Sequence, residues 1–180
     1  MSVDMARAYL HSSPEDDAVL ASCVSAARVA CETYTGRTYA RRRLELRWSE
    51  LGPVLNVTRA PLVAVEAFGY INTAGSETLF TGTDYIVEGR TSHTTTLRFS
   101  SAFIAPADVA ADRSSPIFLR GVFGPDAVTV GPVPADVLQA ILWTAAHYFE
   151  NRTPVMTGTT STELPRGIEN ILRPYRQNPT

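Results

Sequence analysis

His147 and Glu150 stand three residues apart, a spacing that sets two side chains on one face of a helix. Two ligands so placed could share a metal ion. Nothing nearby in the sequence supplies a third or fourth ligand, so a solvated polar face is the better reading. The other histidines, His11 and His93, fall in a linker and at a strand edge. Asp16 and Asp17 could form a carboxylate pair for acid–base work. Acids in a first helical turn are already explained by the helix dipole. Cys23 and Cys31 are eight residues apart on one expected helix. At 1.5 Å per residue that is ~12 Å, too far for a disulfide. They read as small apolar core residues in a reducing compartment, with no zinc pattern. The chain carries no G-x-S-x-G elbow, no P-loop and no dinucleotide fingerprint. No catalytic residue, metal or cofactor is expected, and the chain does not read as an enzyme.

Arg41-Arg42-Arg43 is the remaining group with chemistry in it. Arginine forks suit phosphate and tight interfaces. Neither a recognition helix nor interleaved aromatics accompany them, so nucleic-acid binding is a weak reading. Residues 1–36 hold five acids against two arginines, net −3; residues 37–60 hold six arginines against two acids, net +4. These adjoining segments could meet head-to-tail between identical subunits, pairing Arg41, Arg42 and Arg43 with Asp16 and Asp17 in a closed ring. The alternative is a solvated outer strand face. All sixteen basic residues are arginine. Codon composition explains that better than binding does.

The element that must position much of this is the stretch Gly131–Arg152. Pro134 suits a first helical turn and Asp136 complements the dipole. Val137, Leu138, Ile141, Leu142, Ala145, Tyr148 and Phe149 fall on one helical arc. Gln139, Thr144, His147, Glu150 and Asn151 fall on the other. Trp143 sits among the polar positions, which predicts a second packing surface: the rest of this chain or a neighbouring subunit.

Its expected partner is a helix from Ser13-Pro14-Glu15-Asp16 to Thr35, stopped at Gly36. The apolar arc there is Val19, Leu20, Cys23, Val24, Ala26, Ala27, Ala30, Cys31 and Tyr34. Asp17, Ser22, Ser25, Arg28, Glu32 and Thr33 lie opposite. A shorter helix precedes it, capped by Ser2, with Val3, Met5, Ala6 and Leu10 on its apolar side. Between the long helices the period drops to two. Arg41–Trp48 alternates, and further short runs follow at Val54–Thr58, Leu62–Tyr70, Glu77–Phe80, Tyr85–Val87, Thr94–Phe99 and Pro116–Phe123. Residues 105–115 read as an exposed loop, and 153–167 as a polar, mobile one ending at Leu164-Pro165-Arg166-Gly167. A short helix, Ile168–Leu172, closes the pattern.

The expected class is α+β. Residues 1–38 and 131–176 form a discontinuous helical domain. Residues 39–130 form an inserted antiparallel β sandwich or small barrel, and 177–180 a tail. No stretch is apolar enough to span a membrane, no secretory signal is visible, and the net charge of −2 gives no global pull toward nucleic acid.

Three stretches resemble a known family, the head–tail connector (adaptor) proteins of long-tailed bacteriophages and the related gene transfer agents. Residues 2–37 look like the family's opening: a short helix, an acidic "PEDD" cap, then an alanine-rich helix ending in "YTGR". Residues 131–152 look like its "VPADIKQAIL…HWYENR" helix. Residues 163–176, ELPRGIENILRPYR, look like its "LPxGVExLLxPYR" ending. The middle, 39–130, matches only as a strand-rich insertion.

That resemblance implies a structural protein in the virion neck, assembled in the bacterial host cytoplasm. It implies a ring, usually of twelve copies, under the portal. Such a ring extends the channel for double-stranded DNA without sequence-specific binding and presents a surface to a stopper or tail terminator. In relatives the C-terminal segment reaches the portal. Carried over, Arg173, Tyr175 and Arg176 become docking candidates, with Ile171 and Leu172 as apolar anchors. The competing reading folds Ile168, Ile171 and Leu172 back onto the subunit's own core. Two other classes stand beside the connector: a ligand- or glycan-binding β module on a helical scaffold, and an enzyme built on His147 and Glu150.

Overall fold

The computed structural model describes residues 3–89, 95–126, 128–151 and 166–177. The Ser2 cap, His93, a strand start at residue 94, the loop over 153–165 and the last three residues of the tail lie outside the described residues. The chain divides into two compact units. Met1–Thr35 and Val133–Asn178 make one, and Gly36–Pro132 the other.

The first unit is helical. Helix α1 spans Val3–Leu10, and α2 spans Asp17–Thr35 after a 3₁₀ turn, Pro14–Asp16. Ser13 starts that turn: its hydroxyl accepts the Glu15 N–H at 3.3 Å, and Pro14 needs no partner for a missing donor. Gly36 ends α2 at φ +70°, which a side chain would resist. Helix α3 spans Ala135–Glu150 and α4 spans Arg166–Leu172, followed by a 3₁₀ turn, Arg173–Tyr175. Ala6, Leu20 and Leu142 bury themselves together, with Val3, Leu10, Val24 and Phe149 packed around them. Full burial of one leucine such as Leu20 contributes about 1.5–3 kcal/mol. Helix α2 lies along α3, and the Cys31 Sγ sits 4.0 Å from the Thr144 Oγ1.

Five positions depart from the helical wheels. Thr144, expected on the polar side, is wholly buried. Its hydroxyl satisfies itself by donating to the Ala140 carbonyl at 2.8 Å, so it fills the core like a valine. Glu32, also expected outside, is 2% exposed and accepts from Arg28, one turn earlier, at 3.1 Å. Met5, Val19 and Ala26, expected inside, are exposed.

The second unit holds, among the described residues, seven strands in two antiparallel sheets. Sheet one runs in the order β1 (Arg42–Trp48), β7 (Ile117–Phe123), β3 (Leu62–Ile71), β4 (Glu77–Leu79). Sheet two runs β2 (Val54–Val57), β6 (Thr95–Phe99), β5 (Tyr85–Glu88). The class is mixed α+β, as expected, and neither sheet closes into a barrel. One core joins the sheets: Leu55, Val57 and Leu97 meet Leu62, Phe68, Tyr70, Ile117, Leu119 and Phe123. Alternation supplies it, since every second residue of a strand faces one way. At one end the rings of Phe68, Phe80, Tyr85, Phe99 and Phe103 pack with centroids 4.1–5.6 Å apart.

Strand β3 is irregular against β7, with shifts between Leu62 and Ala64 and between Val65 and Ala67. The shift brings the Ala64 carbonyl to where a side chain at position 121 would stand, so Gly121 carries none. The 105–115 segment is a mostly exposed loop, as expected, anchored at a few points. Val109 bridges Asn72, Ala110 is buried against Ile71 and Phe118, and the Tyr70 hydroxyl donates to Asp108 at 2.9 Å. The outer end of β7 is apolar and needs this cover.

Candidate functional site: the assembly surfaces

The outward face of sheet one is a ladder of charges. Arg120 on β7 pairs in register with Glu45 on β1 and donates to it at 2.6 Å. The same guanidinium reaches across β3 to Glu77 on β4, at 2.8 Å through one nitrogen, and lies 4.6 Å above the Phe118 ring. Arg47 donates to the other Glu45 oxygen at 2.6 Å. Hydrogen bonds from Arg120 hold both Glu45 and Glu77 below the usual carboxylate range, and the two acids raise Arg120 in turn.

The arginine run divides along β1. Arg43 points out and donates to Glu66 at 2.7 Å. Arg42 has the opposite strand parity and is half-buried, while Arg41 is exposed just before the strand. Asp17, its expected counterpart, is gripped by Arg7 through two bonds of 2.7 and 2.6 Å. Asp16 is half-buried. Arg43 and Asp17 therefore already hold partners inside the subunit.

Helix α3 is buried nearly all round. Its exposed stripe is Asp136, Trp143, His147 and Glu150, with Gln139 half-buried between the first two. Trp143 keeps 40% of its surface exposed. His147 contacts Asn151, the residue that ends the helix, at 3.2 Å. Among the described residues no cluster of three His, Cys, Asp or Glu could hold a metal. The outward arc of α2 comprises Ala18, Val19, Ala21, Ser22, Ser25, Ala26, Val29 and Thr33, all exposed. Sequence reasoning passed over this arc, although Val29 between small residues was its signal.

The C-terminal segment turns back on its own unit. Leu172 has no exposed surface, Ile168 is buried and Ile171 is half-buried. Leu172 is thus spent within the subunit and corrects the expectation of a free anchor. The Tyr175 hydroxyl donates to both Asp136 oxygens, at 2.9 and 2.7 Å. The Arg176 guanidinium sits 5.6 Å from the Tyr34 ring centre, and the Gln177 N–H donates to the Thr35 carbonyl at 2.8 Å. Arg166, Asn170 and Arg173 form the exposed side. A cavity of about 400 Å³ in the β unit is lined by Ala64, Val65, Gly82, Tyr85 and Val87. Among its side chains only Tyr85 offers a polar group.

No protein-family model matches the chain, and no curated protein does. Solved structures do. A chain from the neck of an empty gene transfer agent particle, computed with C6 symmetry, matches at a TM-score of 0.75 and 21% identity, over 100% of this chain and 91% of that one. A chain from the virion of a native gene transfer agent particle matches at 0.73 and 22%, with the same coverage. One from the neck of a native particle, computed with C12 symmetry, matches at 0.73 and 21%, over 99% of this chain and 89% of that one. This chain has the fold of those neck chains. The likeness spans both units, so the β insertion belongs to the neck fold as much as the helices do.

Proposed function

We propose that this chain is a structural subunit of the neck in a phage or phage-like particle, a connector joining capsid to tail. One observation carries the reading: likeness over its full length to chains from gene transfer agent necks. The sixfold and twelvefold symmetries of those necks favour a ring of copies, which we take as twelve, under the portal and around the DNA channel. The outer sheet face suits such a place. Its arginines are neutralised by Glu45, Glu66 and Glu77, so duplex DNA could pass without being held.

Portal docking falls to the exposed side of the C-terminal segment. Arg173 and Arg176 would make the contact, with Ile171 and Tyr175 half-buried behind them. Leu172 would pin the segment rather than reach outward. Around the ring, Trp143 is the apolar interface candidate, and Arg41 and Asp16 are the charged ones. A stopper or tail terminator would bind below.

The test is a reconstruction of the capsid vertex from particles made with and without this chain. The reading expects ring density of this fold between portal and tail, and tailless capsids when the chain is deleted. A complete neck in the deletion particles would overturn it.

A further inference from the structure

One residue in five of this chain is charged, yet the eight exposed residues of the α2 arc include no charge. A helix face meant for water carries charged residues. This one runs from Ala18 to Thr33, about 22 Å at 1.5 Å per residue. Val19 and Val29 are 41% and 48% exposed along it, and the rest are alanine, serine and threonine. Such a face is flat and lets a bulky partner come close. The same unit carries the bulky counterpart on a different face: Trp143, with Gln139 and His147 as its uncharged flanks on α3.

A ring is built from heterologous contacts, in which each copy offers two different surfaces that fit one another. We propose that the Trp143 stripe of one subunit seats on the uncharged α2 arc of the next, with the indole over Ser22, Ser25 and Ala26. The occupant is a second copy, and the proposal rests on the ring reading above. Shape matches, since a large aromatic meets small residues, and the acids of the stripe, Asp136 and Glu150, lie about two turns to either side of Trp143, at the rim where water keeps them solvated. Aromatic anchors of this kind carry most of the energy in protein interfaces.

Paired cysteines test it in the full chain. Cys23→Ser removes the half-buried thiol, and Cys31 is fully buried. In that background Ser25→Cys and His147→Cys, the latter exposed one turn from the retained Trp143, are made singly and together, treated with a short bismaleimide and read on denaturing gels. Native mass spectrometry of the unmodified chain reports rings in parallel, and circular dichroism confirms that each variant folds. The double variant should give a ladder of dimers, trimers and larger species, while each single variant stays monomeric. Dimers from Ser25→Cys alone would mean that like faces meet, and would overturn the pairing. Rings without a ladder would overturn the pairing and leave the ring reading standing. Neither rings nor a ladder would overturn both.

Discussion

The Tyr175 hydroxyl donates to the Asp136 carboxylate at 2.7 Å, fastening the C-terminal turn to the first turn of α3. The partners are 39 residues apart and both reach solvent. A hydrogen bond to a charged acceptor contributes more than a neutral one, and exposure reduces it, so about 1 kcal/mol is expected here. Tyr175→Phe should therefore speed amide exchange over Arg166–Gln177 with little change in global stability. Unchanged exchange would mean that buried Ile168 and Leu172, with the Gln177–Thr35 hydrogen bond, hold the segment without it.

Arg120→Met should weaken the β unit in a pH-dependent way. Glu45 and Glu77 lie below their ordinary value of 4.5 in the folded chain because Arg120 hydrogen-bonds them. Unfolding returns both toward 4.5. Their contribution is present in full above that value and is lost as pH falls through the lowered folded values. Urea midpoints of the wild type and the variant should differ most near pH 7 and converge on acidification. A gap that does not narrow on acidification would assign the effect to lost packing over Phe118 instead.

The two thiols should label at very different rates. Cys31 is fully buried, and burial pushes its thiol up to about 11. Cys23 is half-buried. At about pH 8 one equivalent of a maleimide should react promptly and the second only when the helical unit opens. Peptide mapping identifies the fast site; equal rates would contradict the burial of Cys31.

Gly121→Ala should destabilise the β unit by about 1–3 kcal/mol, the usual cost of overpacking. A Cβ there would stand 2.6 Å from the Ala64 carbonyl oxygen and 2.9 Å from Leu62 Cδ1. The Leu62 tip can move, but the Ala64 backbone is held in the β3–β7 pairing. Thermal melts compare the two chains.

How much of this was legible in sequence depended on whether the signal was local. Alternation from Arg42 to Trp48 and the 3.6-residue period of α3 lie in consecutive residues, and both elements form where the pattern places them. Ser13-Pro14 and Gly36 act through their own backbone, so they too could be read. Thr144 and Glu32 misled because a wheel ranks residues by polarity alone. A threonine can return its hydroxyl to its own helix, and a glutamate can enter if an arginine one turn earlier pairs with it. The loop over 105–115 is an exposed loop as read, but the burial of its Ala110 was not legible, because its cover for Phe118 exists only once β7 lies between β1 and β3. The outward arc of α2 was signalled only by missing charge and by Val29 among small residues, which mean something only after the inward faces are known.

The pairing of β1 with β7 joins the first strand of the insertion to its last, from Arg42 opposite Phe123 to Trp48 opposite Ile117. In the unfolded chain, bringing α2 to α3 means closing a loop of roughly a hundred residues. Once β1 and β7 have zipped, the connection shrinks to roughly seventeen, which lowers the closure entropy by about 1.5 kcal/mol. The long sequence separation between the two main helices is then largely nominal. The insertion's termini emerge side by side, so its length and interior loops can change without lengthening the path the helices must close.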